Sequence, residues 1–516
     1  MADERIDRRA FVLRGAAAGS ALYLAACGSS GVSTTTRALR KRALPKATGA
    51  SLGDLEHAVR GAVLTPKSSA FGSAAEVYNQ RYDGAKPLAI VRPKDTADVS
   101  AALKWAAKRD VRVLPRSGGH SYGGYSTGDG VMVVDLAGMS SVKFDHGSGT
   151  AEVEAGAQLI DVYLELAKHG VTIPAGSCPS VGAGGHVLGG GMGFAGRRLG
   201  MAADNLREVT IVTADGERRV ADSTSENDLF WACRGGGGGN FGVTTKFKLN
   251  VHEAHSAAHF NISWPFAQAA QALDAWQSVI PEATRDLTAV FRLAAGGSSP
   301  AVGTSGQYFG PVSNLPHLLS ELISIPGASL STGTLDYAEL MLFWAGCSSL
   351  SEAACHTVGT HPGGTFPRER FLAKSDYVGR KLNAKGRDAL VKAIERRQAN
   401  LGGGSGAILL DSYGGAINDV PAAATAFVHR DELFCIQYLA YFPESGTKTA
   451  KKWAERTWKS MRTHVSGAAY QNYIDPELAG WENAYYGHNY ARLQQVKKQY
   501  DPDFRFRFAQ AIRPAA

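Results

Sequence analysis

The clearest hydrophobic pattern begins at Pro87. Pro87–Pro93 is a short apolar run bounded by prolines, which predicts a buried strand. Thr96–Arg109 follows with Val99, Leu103, Ala106 and Ala107 at helical spacing. Val111–Pro115 reads as another strand, and a glycine-rich turn opens after it at Gly118. Val131–Leu136, Val142–Phe144 and Ala151–Ala155 are further strands, and Leu159–His169 is a helix. Leu206–Thr213 and Glu217–Ala221 predict a hairpin about Asp215-Gly216, and Val243–Val251 alternates as a long strand. Residues 76–251 therefore mix short β-α-β units with antiparallel strands, an α+β pattern preceded by a helix and loop over 55–75.

Beyond residue 251 the texture changes. Phe266–Val279 is helical, Ser305–Phe309 and Gly406–Leu410 are strand-like, and Leu433–Phe442 is apolar and aromatic. This predicts a second α+β domain over 252–449, followed by mainly helical segments at Thr447–Val465 and Asn489–Tyr500. A chain of 516 residues is too long for one core, so more than one domain is expected.

The net charge of +8 is concentrated at one end. Nine Lys/Arg and three acids in residues 1–46 give a local +6. The body is nearly neutral and shows no basic stripe with interleaved aromatics, so nucleic acid is not an expected partner. Within that basic stretch, Arg8-Arg9-Ala10-Phe11-Val12-Leu13 resembles a twin-arginine export signal. The apolar run Ala16–Ala26 is too short to span a bilayer. Leu24-Ala25-Ala26-Cys27-Gly28 resembles a bacterial lipobox, which would make Cys27 a lipidated N-terminus and the only membrane attachment. A cleaved signal with a chance cysteine is the plainer alternative. Gly28–Ala50 is Ser/Thr/Gly-rich and carries no acid, as a flexible tether would.

The other cysteines are Cys178, Cys233, Cys347, Cys355 and Cys435. No pair has metal-site spacing, Cys347 and Cys355 are a candidate disulfide, and an odd number leaves one over. His252, His255 and His259 have helical spacing in extended surroundings, so no metal is expected.

Glycine clusters in three stretches. Arg116-Ser117-Gly118-Gly119-His120-Ser121 follows a strand directly, with paired glycines that expose backbone N–H groups to a pyrophosphate and an arginine that adds charge. Gly176-Ser177-Cys178-Pro179-Ser180-Val181-Gly182-Ala183-Gly184-Gly185-His186 is the second, and Gly235–Gly239 with Asn240-Phe241-Gly242 the third. Gly191-x-Gly193-x-x-Gly196 and Gly237-x-Gly239-x-x-Gly242 match dinucleotide-fingerprint spacing, but neither lies in a clear strand–turn–helix.

These stretches, together with Leu199–Asn205 and the C-terminal Tyr485-Tyr486-Gly487-His488-Asn489 to Tyr500-Asp501-Pro502, resemble the berberine-bridge-enzyme-like FAD-linked oxidases of the vanillyl-alcohol-oxidase superfold, gluco-oligosaccharide oxidases included. The resemblance covers about 76–251 and 405–516. It implies an α+β fold: a PCMH-type FAD-binding domain of two subdomains over 55–251, a substrate domain with an antiparallel sheet over 252–449, and a segment 450–516 that returns to the FAD domain. It implies FAD as cofactor, with His120 bonded to the flavin 8α carbon and Cys178 to carbon 6. Arg116, Ser117, Gly118, Gly119, Ser121, Val181, Gly182, Gly184, Gly185, His186, Gly190, Gly242, Tyr485 and Asn489 are the further cofactor-binding candidates.

For the chemistry, the resemblance points to Tyr473 as base, Tyr470 as its neighbour, Asp411 as a carboxylate partner and Gln437 as a residue facing the flavin. A carboxylate does not ease tyrosine ionisation, but it can take the proton onward. By the same resemblance, Val181 falls where family members place an oxygen gate, and a small side chain there goes with oxidases. The implied activity is oxidation of an alcohol, such as an oligosaccharide or natural product, by hydride transfer to flavin N5 with dioxygen as acceptor. The rivals are a dehydrogenase using another acceptor and a catalytically silent carbohydrate-binding lipoprotein. One departure stands out. Phe504 occupies an Asn position of the family's Asp-Pro-x-Asn-x-Phe ending, while Gln510 and Ile512 still fit.

Overall fold

The computed structural model describes residues 52–361 and 363–516. The export motif, Cys27 and the tether lie outside the described residues. Proline-bounded and alternating runs become strands as expected, and the α+β class holds.

The first sheet contains β1 (Ala62–Leu64), β2 (Ala89–Arg92), β3 (Val113–Arg116) and β4 (Met132–Asp135) in the order β1-β2-β4-β3. Its β2–β4 and β4–β3 pairs are parallel, which requires a crossover, and the helix Thr96–Lys108 supplies it between β2 and β3. Asp95 caps that helix by accepting from the Ala97 and Asp98 N–H groups, and Val99, Ala102, Leu103 and Ala106 face the core.

The second sheet is antiparallel, β5 (Val142–Asp145), β6 (Thr150–Glu154), β8 (Leu206–Val212), β9 (Arg218–Asp222) and β10 (Val243–Asn250), in the order β5-β6-β10-β8-β9. β8 and β9 are the hairpin read from the sequence. Two short strands, β7 (Val171–Thr172) and β11 (His252–Glu253), pair separately.

The region after 252 holds more strands than its sequence showed. A seven-stranded antiparallel sheet contains β12 (Ala257–Trp264), β13 (Leu287–Ala295), β14 (Ala301–Tyr308), β15 (Ser329–Leu335), β16 (Phe371–Val378), β17 (Ser405–Ser412) and β18 (Phe434–Tyr441). Their order is β15-β12-β14-β13-β17-β18-β16. Side chains alternate across it. Leu287, Ala289, Phe291 and Leu293 of β13, with Ile408 and Leu410 of β17, pack under helices Ala269–Val279, Ala384–Gln398 and Thr447–Met461. Thr288, Val290, Leu409 and Asp411 face the other way, into a cavity. That second face mixes polar and apolar residues, so these strands lack the uniform apolar run that marked β2 and β4.

The expected boundary at residue 450 is corrected. Helix Thr447–Met461 buries Ala450, Trp453, Ala454 and Met461 in the core of the seven-stranded sheet, so it belongs to that domain. The return to the first domain comes later. Ile512 N–H donates to Asn240 Oδ1 at 3.0 Å, and buried Lys497 donates to the Asn240 carbonyl.

Cys347 and Cys355 form a disulfide against the helix Leu159–Ala167. Among the described residues, three cysteines rather than one are then unpaired. Cys233 and Cys435 are buried, whereas Cys178 is half-buried. The three histidines diverge: His252 meets Asn205 at 2.7 Å, His255 pairs with Glu253 at 2.8 Å and His259 packs on Phe343.

Candidate active site between the glycine loops and the seven-stranded sheet

β3 runs straight into the loop Ser117–Ser121, and the loop Gly176–Gly182 leads into the short helix Ala183–Leu188. The two loops interlock. A Cβ on Gly182 would sit 1.9 Å from Ser117 Oγ and 2.2 Å from the Gly118 nitrogen, so only glycine permits the approach. Gly119, at φ +71°, then turns His120 towards the cavity.

That cavity lies between these loops and the seven-stranded sheet. Its wall includes Ser117, Gly118, Gly119, His120, Ser121, Cys178, Val181, Gly182, Gly184, Gly185, His186 and Gly242 from the first domain. Asp411, Gln437 and Tyr473 come from the far side. Residues up to 356 positions apart in sequence, Ser117 and Tyr473, thus meet on one surface.

His120 is held closely: Nε2 is 2.9 Å from Ser180 Oγ, and Tyr78 stacks on the ring with centroids 3.9 Å apart. His186 accepts the Gly176 N–H on Nε2 at 2.9 Å, which puts its own proton on Nδ1. Burial pushes its pKa down to about 4, so it is neutral at physiological pH.

Tyr473 donates to Asp411 Oδ2 at 3.3 Å. Burial raises Asp411 to about 7, and the bond from Tyr473 offsets only part of this. Tyr473 is itself raised well above an ordinary phenol, first by burial and then by the Asp411 charge. Gln437 donates to the Tyr122 hydroxyl at 3.3 Å, and the Tyr122 ring lies parallel to Tyr473, 5.6 Å away.

Five candidates leave the wall, each for a visible reason. Arg116 does not point at the cavity: its guanidinium bonds Asp135 at 2.9 Å and the Ala74 carbonyl at 2.6 Å. The Tyr470 hydroxyl accepts the Gly191 N–H at 3.0 Å and Asn472 Nδ2 at 3.1 Å, fastening a glycine run. Gly190, at φ +121°, packs beside Met201 and Phe427. The Tyr485 hydroxyl accepts the Asp475 N–H at 2.8 Å. Asn489 donates to the carbonyls of Ala422 and Thr425. The two fingerprint-like glycine runs also lack the strand–turn–helix setting: one follows helix Ala183–Leu188 and the other precedes β10.

Sequence reasoning missed Tyr78, Tyr122, Phe371, Tyr441, Gln471 and Asn472, all on the wall. Tyr122 could have been found, being two residues from His120 on the same loop. Tyr78, from the loop before β2, reaches the wall through its N–H bond to the Gly119 carbonyl, and the others through sheet register or the fold of the C-terminal segment.

Comparison with known proteins places this geometry in a family. Residues 87–222 match the FAD binding domain model, and 469–513 match the model called Berberine and berberine like. The FAD-linked oxidoreductase YgaK of Bacillus subtilis is 30% identical over 437 residues, 83% of this chain and 91% of that protein. Monolignol oxidoreductase AtBBE-like 13 of Arabidopsis thaliana is 31% identical, covering 86% of this chain and 88% of its own. Among solved structures, BBE-like 1 of Physcomitrella patens aligns with TM-score 0.83 at 33% identity, over 90% of this chain and 100% of that one. A chitooligosaccharide oxidase aligns with TM-score 0.81 at 27% identity, over 90% and 99%. The chain belongs to the berberine-bridge-enzyme-like FAD-linked oxidoreductases. It is an FAD-dependent oxidoreductase.

The cavity wall fits that cofactor. A Cβ on Gly185 would meet no atom within 4 Å and would project into the open space that the glycine backbone lines. Tyr125 Oη, Ser126 Oγ, Thr244 Oγ1 and Gln471 Oε1 are buried on the wall with no hydrogen-bond partner. Buried polar atoms in that state are costly unless a ligand completes them.

Proposed function

We propose that this protein is an exported oxidase that carries FAD joined to both His120 and Cys178 and oxidises an alcohol, with dioxygen as acceptor and hydrogen peroxide as product. The observation that carries the chemistry is the Tyr473–Asp411 pair on the cavity wall, 3.3 Å apart. Bound FAD supplies the hydride acceptor. The chain must then take the proton of the substrate hydroxyl. Tyr473 cannot wait as a free phenolate, because burial and Asp411 both hold its proton on. Asp411, raised to about 7, is poised to accept one. The substrate proton therefore passes to the Tyr473 oxygen as the tyrosine's own proton passes to Asp411. Gln437 and Tyr122 orient the hydroxyl beside this pair.

His120 and Cys178 line the same cavity on interlocked loops, which supports attachment at two points. The small side chain of Val181, on the same wall, supports access for dioxygen. Tyr78, Tyr122, Phe371 and Tyr441 give the wall faces on which a sugar or phenolic ring can stack, as expected for an oligosaccharide or aromatic natural product. At the other end of the chain, Cys27 is the lipid-anchored N-terminus.

A peroxide-coupled screen over oligosaccharides, aromatic alcohols and phenolics tests the activity. Peroxide from none of them, with reduced enzyme that air does not reoxidise, would favour a dehydrogenase. Retention of yellow colour in acid-precipitated protein tests the covalent bonds, and loss of membrane association in Cys27→Ala tests the anchor.

A further inference from the structure

The cavity wall carries a carboxylate that the proton relay does not use. Among the described residues the wall holds two acids, Asp411 and Glu369, and no Lys or Arg. Asp411 is engaged by Tyr473. Glu369 lies just before β16 and is half-buried. Its backbone is pinned to the Tyr78–Gln80 segment: its N–H donates to the Tyr78 carbonyl at 3.2 Å, and its carbonyl accepts the Gln80 N–H at 2.9 Å. The Tyr78 hydroxyl donates to Glu369 Oε2 at 2.9 Å and fixes the carboxylate, while Oε1 takes no bond from any described residue. Neither flanking arginine lies on the wall or pairs with it. Arg368 is turned away, donating from Nε to the Val77 carbonyl at 2.9 Å and pairing with Glu76 at 2.9 Å and with Asp83. Aromatic rings separate Glu369 from the relay. Phe371 meets Tyr78 edge-on at 6.3 Å and Tyr122 edge-on at 4.9 Å, and Tyr122 is the ring that lies parallel to Tyr473. A substrate whose hydroxyl reaches Tyr473 therefore meets Glu369 with a part remote from its reacting carbon.

Given the reading of this cavity as the site of alcohol oxidation, we propose that Glu369 is a specificity-determining residue that binds a protonated amine on the substrate, away from the carbinol carbon, and turns away anionic substrates. Its partner Tyr78 is a neutral phenol, so the carboxylate keeps its charge. An ammonium beside it gains a charge-assisted hydrogen bond to Oε1 and contact with the neighbouring aromatic rings. No Lys or Arg on the wall competes for that carboxylate, and His186 is neutral. The phosphates of bound FAD make the cavity more negative still, which draws cations in and keeps anions out. A neutral amide or hydroxyl in the same place gains only an ordinary hydrogen bond, and a carboxylate or sulfate meets like charge. The substrate class narrows from alcohols in general to amino alcohols built on a sugar or aromatic ring.

Binding tests this apart from turnover. Benzylammonium, benzamide and benzoate share one ring, differ in charge and carry no carbinol. Calorimetric titration of the flavin-loaded protein should rank them in that order, with benzylammonium bound about 10- to 100-fold more tightly than benzamide and benzoate the weakest. Glu369→Gln keeps a carbonyl oxygen for the Tyr78 hydroxyl and removes the charge, so the preference for benzylammonium over benzamide should vanish. E369K should reverse the order and put benzoate first. The wild-type ranking needs no variant: equal affinity for benzylammonium and benzamide, or no binding of benzylammonium, overturns the proposal. So does a preference that survives E369Q. If it is instead lost in D411N, the charge is read by Asp411. Failure of the oxidase reading shows elsewhere, as a peroxide-coupled screen without product and flavin that no alcohol reduces, and it leaves this ranking unchanged.

Discussion

Tyr473 and Asp411 stand 62 residues apart in sequence and meet through a 3.3 Å hydrogen bond on the cavity wall. Asp411 comes from β17, opposite Val290 of β13, and Tyr473 from the segment that follows the last helix of the second domain. The pair is therefore assembled from two structural units.

The first prediction concerns pH. Asp411 accepts a proton only when ionised, and burial places that ionisation at about 7. The rate of flavin reduction by substrate should rise with pH through about 7 and level off above it. Asp411→Asn and Tyr473→Phe should each lower it by about 10²- to 10⁴-fold. Stopped-flow reduction at fixed substrate between pH 5 and 9 measures this. A flat profile in the wild type would remove Asp411 from the relay.

The same carboxyl is a stability liability. Its folded-state pKa lies above the ordinary 3.8, so the folded protein binds its proton more tightly than the unfolded chain does. Its contribution is intact below about pH 4 and is lost as the pH rises towards 7. D411N, which cannot ionise, should match the wild-type Tm at pH 4 and exceed it at pH 8. Thermal denaturation at both values checks the sign.

Lys374 and Asp475 form a buried ion pair at 2.7 Å, both under a tenth exposed. β16 is an edge strand, and Lys374 with its neighbour Ser375 holds the Tyr470–Asp475 segment against it. Ser375 Oγ accepts the Tyr470 N–H at 3.1 Å. Lys374→Met leaves a buried carboxylate unpaired and should cost about 3–5 kcal/mol in denaturant unfolding. The paired replacement K374M/D475N should recover much of that loss.

Phe504 adopts φ +53°, a left-handed conformation that asparagine tolerates and a bulky side chain does not. The departure from the family's asparagine therefore carries a backbone cost. Phe504→Asn should stabilise the protein by about 1 kcal/mol, seen as a higher Tm with unchanged activity. A lower Tm would mean that packing of the ring outweighs the backbone.

Gly182→Ala should prevent flavin loading, because the added methyl meets the Gly118 backbone as well as the Ser117 side chain, and the backbone cannot swing away. The ratio of flavin absorbance to protein absorbance in purified material measures this directly.

Much of the first domain was legible from sequence because its signals are local. β2, β4 and the helix Thr96–Lys108 each bury one continuous pattern, and the glycine loops must be glycine for their backbones to approach one another. The second domain was less legible. β13 and β17 place apolar residues under helices on one face and Thr288 or Asp411 in a cavity on the other, so their composition resembles that of loops. Arg116 shows the limit even within a clear motif. Its position after β3 matched a phosphate-binding role, yet buried Asp135 on the neighbouring strand β4 claims its guanidinium.

By itself the sequence determined the family, the α+β class, FAD as cofactor and the two loops that carry His120 and Cys178. All of these depend on contiguous residues whose type is dictated by backbone geometry. Only the tertiary structure decided that Tyr473 meets Asp411, that Tyr122 stands beside them, and that Tyr470, Tyr485 and Asn489 serve the scaffold instead. Those roles depend on strand register and on which buried polar group lies within about 3 Å, a distance set by the packing of segments far apart in the chain.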